Sequence, residues 1–102
     1  MHLATVVGNV WATQKERSLE GLPLLVVRPF TTDGDQSAET IIAVDSQGAR
    51  RGERVLVVHG RAARHAIGRG HDIGFQTAIV GIVDAVDLEG GRRVGQTAEE
   101  DH

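Results

Sequence analysis

Cysteine is absent from the 102 residues, which excludes disulfides and thiolate metal sites and removes any need for an oxidising compartment. Aromatic residues are scarce: there is no tyrosine, and Trp11, Phe30 and Phe75 are the whole inventory. A groove for single-stranded nucleic acid relies on several stacking platforms, so this poverty weighs against one. Long apolar runs are missing as well, and nothing approaches the length needed to cross a bilayer as a helix. The opening "MHLATVVGNVWATQKERSLEG" shows neither a charged leader ahead of an apolar block nor a cleavage site. The expectation is a cytoplasmic, unprocessed chain with no membrane partner. Its net charge of -3 and pI near 5.9 are unlike those of a surface built throughout for polyanions.

What is present points to β structure. Val, Ile and Thr dominate the apolar segments and 13 glycines punctuate them, a pattern of short strands and glycine turns. The strand candidates are Leu3 to Thr13, Leu22 to Arg28, Thr40 to Val44, Arg54 to His59 and Thr77 to Leu88. Between the second and third, Asp33-Gly34 marks a turn in a polar connection. After Gly60, "RAARHAIG" offers one or two helical turns, with Gly68 suited to a left-handed stop. This order predicts an all-β fold, a five-stranded OB-like Greek-key barrel with one short helix between strands 4 and 5. In the last strand Val80, Ile82, Val86 and Leu88 share one face with Asp84, unless a bulge near Gly81 turns the carboxylate outward. The barrel domain spans residues 1–89. Residues 90–102, "GGRRVGQTAEEDH", lack apolar periodicity and read as a polar, flexible tail. A domain this small buries a modest fraction of its surface and gains from self-association.

No constellation of residues declares a reaction. His59, His65 and His71 recur every six residues but match no zinc spacing, and they fall on a strand, a helix and a loop. Nothing links a pair among Asp45, Glu53, Asp72 and Asp84 for acid–base work, and Ser18, Ser37 and Ser46 stand outside any nucleophile elbow. "GRGHDIG" lacks the Lys-Ser/Thr ending of a phosphate loop. No catalytic residue, metal or cofactor is expected. Five arginines lie in "DSQGARRGERVLVVHGRAAR" at residues 45–64. Arg50, Arg51 and Arg54 read as a solvated turn paired with Asp45 and Glu53, and Phe30 and Phe75 read as core fillers. Arg61 is unusual, because a cation in the first turn of a helix opposes the helix dipole. The alternative function from another class is an OB-fold nucleic-acid-binding module.

Three ordered segments resemble a known family, the bacterial microcompartment vertex proteins of the EutN/CcmL type. "LATVVGNVWATQKERSLEGLPLLVVRP" is similar to that family's opening strand, Ala-Thr-x-Lys turn, Ser-Leu-x-Gly segment and second strand. "AVDSQGARRGERVLVVHGRAAR" is similar to its Asp-x-x-Gly-Ala-Gly-x-Gly-Glu loop, Val-Leu-Val strand and Gly-Ser-Ser-Ala-Arg turn, and "AIVGIVDAVDL" to its closing strand. The resemblance implies a structural protein without enzymatic activity. It would form homopentamers that cap the vertices of an icosahedral shell whose facets are hexameric and pseudohexameric proteins. It also implies roles by position: Ser18, Leu19, Gly21, Gly48, Ala49, Arg50, Arg51, Gly52 and Glu53 at the contact with neighbouring tiles, and Gly60, Arg61, Ala62 and Ala63 near the five-fold axis. Arg50 stands in place of a family glycine, so it either takes an ordinary backbone conformation or is strained. Arg61 stands in place of a serine, and five copies around an axis would favour anions.

Overall fold

The structure, a computed structural model, describes residues 1–11, 22–33, 35–60 and 77–100. Its strands are β1 (His2–Val10), β2 (Leu24–Phe30), β3 (Ile41–Asp45), β4 (Arg54–His59), β5 (Thr77–Ile82), β6 (Ala85–Asp87) and β7 (Arg93–Gly95). The first five close into a barrel in the order β1-β2-β3-β5-β4, with β4 returning to β1. Every contact in it is antiparallel except β3 with β5, where Val44 lies beside Ala78 and Asp45 beside Ile79. That single parallel pair in an otherwise antiparallel five-stranded barrel is the arrangement of an OB-like fold, as the sequence predicts. The expected short helix falls within residues 61–76, outside the described residues.

Alternation of side chains builds the core. Ala4 and Val6 of β1, Leu25 and Val27 of β2, Ala43 of β3, Val55 and Val57 of β4, and Ile79 of β5 all point inward and form one cluster. Small and β-branched residues suit a narrow barrel, where side chains from every strand must share one axis. Val27, Val55 and Val57 are fully buried, and each such side chain contributes roughly 1.5–3 kcal/mol by leaving water. A second cluster of Val44, Val58 and Ala78, with Leu22, Leu24 and Val80 against it, lies on alternate positions of the same strands, on the barrel's outer side.

The closing segment departs from a single long strand. Leu56 pairs with Gly81 but Val57 pairs with Ile79, so Val80 is an extra residue on β5. This bulge changes the inward set from Ile79 to Ile82, and Val80 joins the outer cluster. Val80 and Ile82 therefore do not share a face. The chain then breaks at Val83 and Asp84: a regular continuation from Ile82 would turn Asp84 inward, and the interruption of the strand, not the bulge, leaves this carboxylate exposed.

Past residue 89, in the segment read from the sequence as a polar tail, residues 93–95 form strand β7. β6 and β7 form an antiparallel hairpin, with Val86 opposite Val94 and Asp87 opposite Arg93. Gly90 and Gly91 supply the positive φ angles of its turn, 76° and 78°, and the Leu88 N–H donates to the Arg92 carbonyl at 2.8 Å to close it. The Arg93 guanidinium meets the Asp87 carboxylate at 2.8 Å across the strands. Arg92 donates to the Thr32 carbonyl at 2.6 Å, which fixes the hairpin to the β2–β3 connection. Three-residue strands with one apolar pair are too short to register as a period-two pattern.

Candidate functional site

The residues from Asp45 to Glu53 form the loop that connects β3 to β4. It begins on a buried carboxylate. Asp45 is 3% exposed, and it accepts the Gln47 N–H on Oδ1 at 2.8 Å and the Ala49 N–H on Oδ2 at 2.9 Å. A carboxylate that caps two backbone donors offsets its own burial and fixes the turn. Gly48 and Gly52 follow with φ of 77° and 90°, conformations that residues with a Cβ avoid.

The far end of the loop is held from two sides. The Gly52 N–H donates to the Val6 carbonyl at 2.8 Å and the Val6 N–H to the Glu53 carbonyl at 3.0 Å, which anchors the loop to β1. The Glu53 side chain turns back and accepts the Arg50 N–H on Oε1 at 2.6 Å, while the Glu53 N–H donates to the Arg50 carbonyl at 3.0 Å. The other carboxylate oxygen, Oε2, accepts from Gln96 Nε2 at 2.6 Å. Arg50 has no positive φ, so this arginine occupies an ordinary backbone conformation and the strain lies on glycines.

The arginines of this region do not act together. Arg50 and Arg51 are exposed on the loop, but Arg54 is 5% exposed and belongs to no solvated turn. Its Nε donates to Thr5 Oγ1 at 3.2 Å, one of its terminal nitrogens approaches the Gly95 carbonyl at 3.4 Å, and its guanidinium lies 5.2 Å from the centre of the Phe30 ring. Asp45 and Glu53 accept from backbone amides and Gln96, so caps stand where the sequence predicts pairing with the arginines. Phe30 is a half-buried platform for Arg54 and not a core filler.

A cleft of about 560 Å³ opens beside the loop, between Asn9 and Trp11 at the end of β1 and the Gly48 to Arg51 backbone. Trp11 is 89% exposed there, a large apolar surface on a small molecule. Of the residues assigned by resemblance, the structure brings Gly48, Ala49, Arg50, Arg51, Gly52 and Glu53 together in one loop and puts Gly60 at the end of β4. Ser18, Leu19, Gly21, Arg61, Ala62 and Ala63 lie outside the described residues, as do His65, His71 and Phe75. Gln96 and Trp11 were not singled out for this site from the sequence. An Asp ahead of Ser-Gln-Gly is a readable turn signal, whereas Gln96 is joined to Glu53 only by the fold.

Comparison with known proteins decides the family. The sequence model described as ethanolamine utilisation protein EutN/carboxysome matches residues 1–84. The chain belongs to the EutN/CcmL family. It is 46% identical over 90 residues to the bacterial microcompartment shell vertex protein PduN of Salmonella typhimurium, a match that covers 84% of this chain and 98% of that one. Its fold is similar to that of the solved ethanolamine utilization protein EutN, with a TM-score of 0.82 at 33% identity over 89% of this chain and 94% of that chain. It is similar as well to GrpN, the pentameric microcompartment shell protein from Rhodospirillum rubrum, with a TM-score of 0.75 at 39% identity over 86% of this chain and 100% of that one.

Proposed function

We propose that this EutN/CcmL chain is a structural shell protein whose homopentamer caps the vertices of a bacterial microcompartment, and that it works within the cytoplasm as part of that shell. The observation that carries this reading is the match of its barrel to a pentameric shell protein along that protein's whole length. Five-fold closure needs a head-to-tail interface, in which two different faces of each copy fit one another. A barrel of this size with an exposed Trp11 beside a cleft has surface to give to such a contact.

In this reading the loop Gly48, Ala49, Arg50, Arg51, Gly52 and Glu53, with Ser18, Leu19 and Gly21, meets the hexameric and pseudohexameric tiles at the shell edge. Gly60, Arg61, Ala62 and Ala63 stand near the five-fold axis, and a ring of Arg61 cations favours anions at the opening. A loop capped at one end by Asp45 and clamped at the other by Glu53 supports the first assignment, because a docking edge has to hold one shape before it meets its partner.

Light scattering tests the assembly. A single species near five times the 10.9 kDa chain mass is expected, together with no salt-sensitive binding of single-stranded oligonucleotide. A monomer that binds the oligonucleotide would replace this reading with that of a nucleic-acid-binding OB module.

A further inference from the structure

The family match ends at residue 84, one residue before the hairpin begins, yet the hairpin and the turn after it reach back to the loop at its most constrained point. Gln96 is attached there twice. Its carbonyl accepts the Arg54 N–H at 2.8 Å, and its side-chain amide donates to Glu53 Oε2 at 2.6 Å. The residue before it, Gly95, presents its carbonyl to the Arg54 guanidinium. Glu53 and Arg54 are the last residue of the loop and the first of β4, so the C-terminal segment grips the seam where the loop joins the barrel.

The Glu53 carboxylate has two oxygens with two tasks. Oε1 receives the Arg50 N–H and thereby closes the Arg50 to Glu53 turn, and Oε2 receives Gln96. With Oε2 fixed, rotation about the last side-chain bond would break the Gln96 contact, so Oε1 stays aimed at Arg50. A hydrogen bond to a charged acceptor is stronger than one between neutral groups. We infer that the C-terminal hairpin is a brace for the 48–53 loop, and that Gln96 is the positioning residue that holds Glu53 in the rotamer that closes it. The further consequence, that this brace sets how firmly the vertex docks on neighbouring tiles, rests on the proposed placement of the loop at the shell edge.

The test uses the full chain with three sets of substitutions: Gln96→Ala, which removes the donor; Gln96→Glu, which sets two carboxylates against each other; and the exchange Glu53→Gln with Gln96→Glu, which restores a donor–acceptor pair in reversed order. Amide hydrogen exchange over residues 48–53 reads the loop. Gln96→Ala is expected to accelerate it about three- to tenfold and Gln96→Glu more, while the exchanged pair returns it close to the parent rate. A purely bulk effect on folding would not be reversed by the exchanged pair, and light scattering confirms that each variant keeps the parent's mass. Unchanged exchange in Gln96→Glu, or no recovery in the exchanged pair, overturns the brace. Association with a hexameric microcompartment shell protein is measured in parallel and should weaken and recover in the same order. Accelerated exchange with unaltered association leaves the brace standing and overturns the placement of the loop at the shell edge.

Discussion

The Arg54 guanidinium lies 5.2 Å from the centre of the Phe30 ring while its Nε donates to Thr5 Oγ1 at 3.2 Å. Thr5 is in register with Arg54 on one side and with Arg28 on the other, so this one side chain, based on β4, joins β1 and β2 across the outer face of the barrel. The Gly95 carbonyl covers it from the C-terminal segment. A buried cation in this position is tolerable because polar and aromatic groups surround it.

Replacing Arg54 is therefore expected to destabilise the molecule much more than replacing exposed Arg50 or Arg51. Arg54→Ala removes a ring contact and charge-assisted hydrogen bonds at a buried site, a loss of about 2–4 kcal/mol. Arg54→Lys retains the charge without the planar fork and recovers only part of it. Urea denaturation at one fixed protomer concentration measures this, since assembly makes apparent stability depend on concentration. A loss within about 0.5 kcal/mol of that for Arg51→Ala would show that the Arg54 contacts carry little.

Asp45 provides a second contrast. In Asp45→Ala the Gln47 and Ala49 amides lose their acceptors at a part-buried turn, at a cost of about 1–2 kcal/mol. Asp45→Asn keeps one acceptor but turns a donor toward the other amide, so it recovers at most about half of that loss. Both variants should accelerate amide exchange at Ala49 before they change it in the β1 core. Slow exchange at Ala49 in Asp45→Ala would mean that the turn holds its shape without the cap.

Adding a Cβ at the loop glycines and removing the one at Arg50 are both expected to destabilise, for opposite conformational reasons. A Cβ at Gly48 or Gly52 would meet nothing within 4 Å, so the cost of alanine there is purely conformational, about 1 kcal/mol or more at φ of 77° and 90°. Arg50 has no positive φ, and glycine there would gain no needed freedom. Arg50→Gly is expected to lower stability by about 0.5–1 kcal/mol through the entropy of the unfolded chain. A stabilising Arg50→Gly would mean that the arginine strains the loop after all.

The barrel was legible because its signals are local. Val55, Val57 and their counterparts alternate with outward residues, and the strand order followed from short β-branched segments set between glycine turns. The interruption of the closing strand was partly legible, through a carboxylate at Asp84 on an otherwise apolar face. Burial of Arg54 is not legible because its neighbours Arg50, Arg51 and Glu53 have the composition of a surface loop, while Thr5, Phe30 and the returning Gly95 that cover it are distant in sequence. The Glu53–Gln96 pair spans 43 residues, a separation at which no periodicity or turn rule operates. Gly90-Gly91 is the turn of a hairpin that shows one apolar pair, Val86 with Val94, and one exposed ion pair, too little for a pattern rule to register.

His59 gives the molecule a pH dependence with a definite sign. It ends β4, its ring meets the His2 ring edge-on with centres 5.0 Å apart, and its Nδ1 lies 3.0 Å from Thr77 Oγ1. Burial first, then the charges of His2 and of the N-terminal amine, lower its pKa below the ordinary 6.5. The folded chain thus takes up this proton less readily than the unfolded chain. Above pH 6.5 the contribution of this group is constant; as pH falls from there to the lowered folded-state value, the unfolded state binds more protons and stability declines. His2→Gln removes one of the repelling charges, so the His59 pKa should rise toward 6.5 and the window of declining stability should narrow. Titration of the His59 ring proton by NMR, in the parent and in His2→Gln, measures both values. An upward shift in the variant, with urea midpoints near pH 6 less sensitive to acid, is the expected result. An identical titration in the two proteins would show that the edge-on His2 ring leaves the protonation of His59 unaffected.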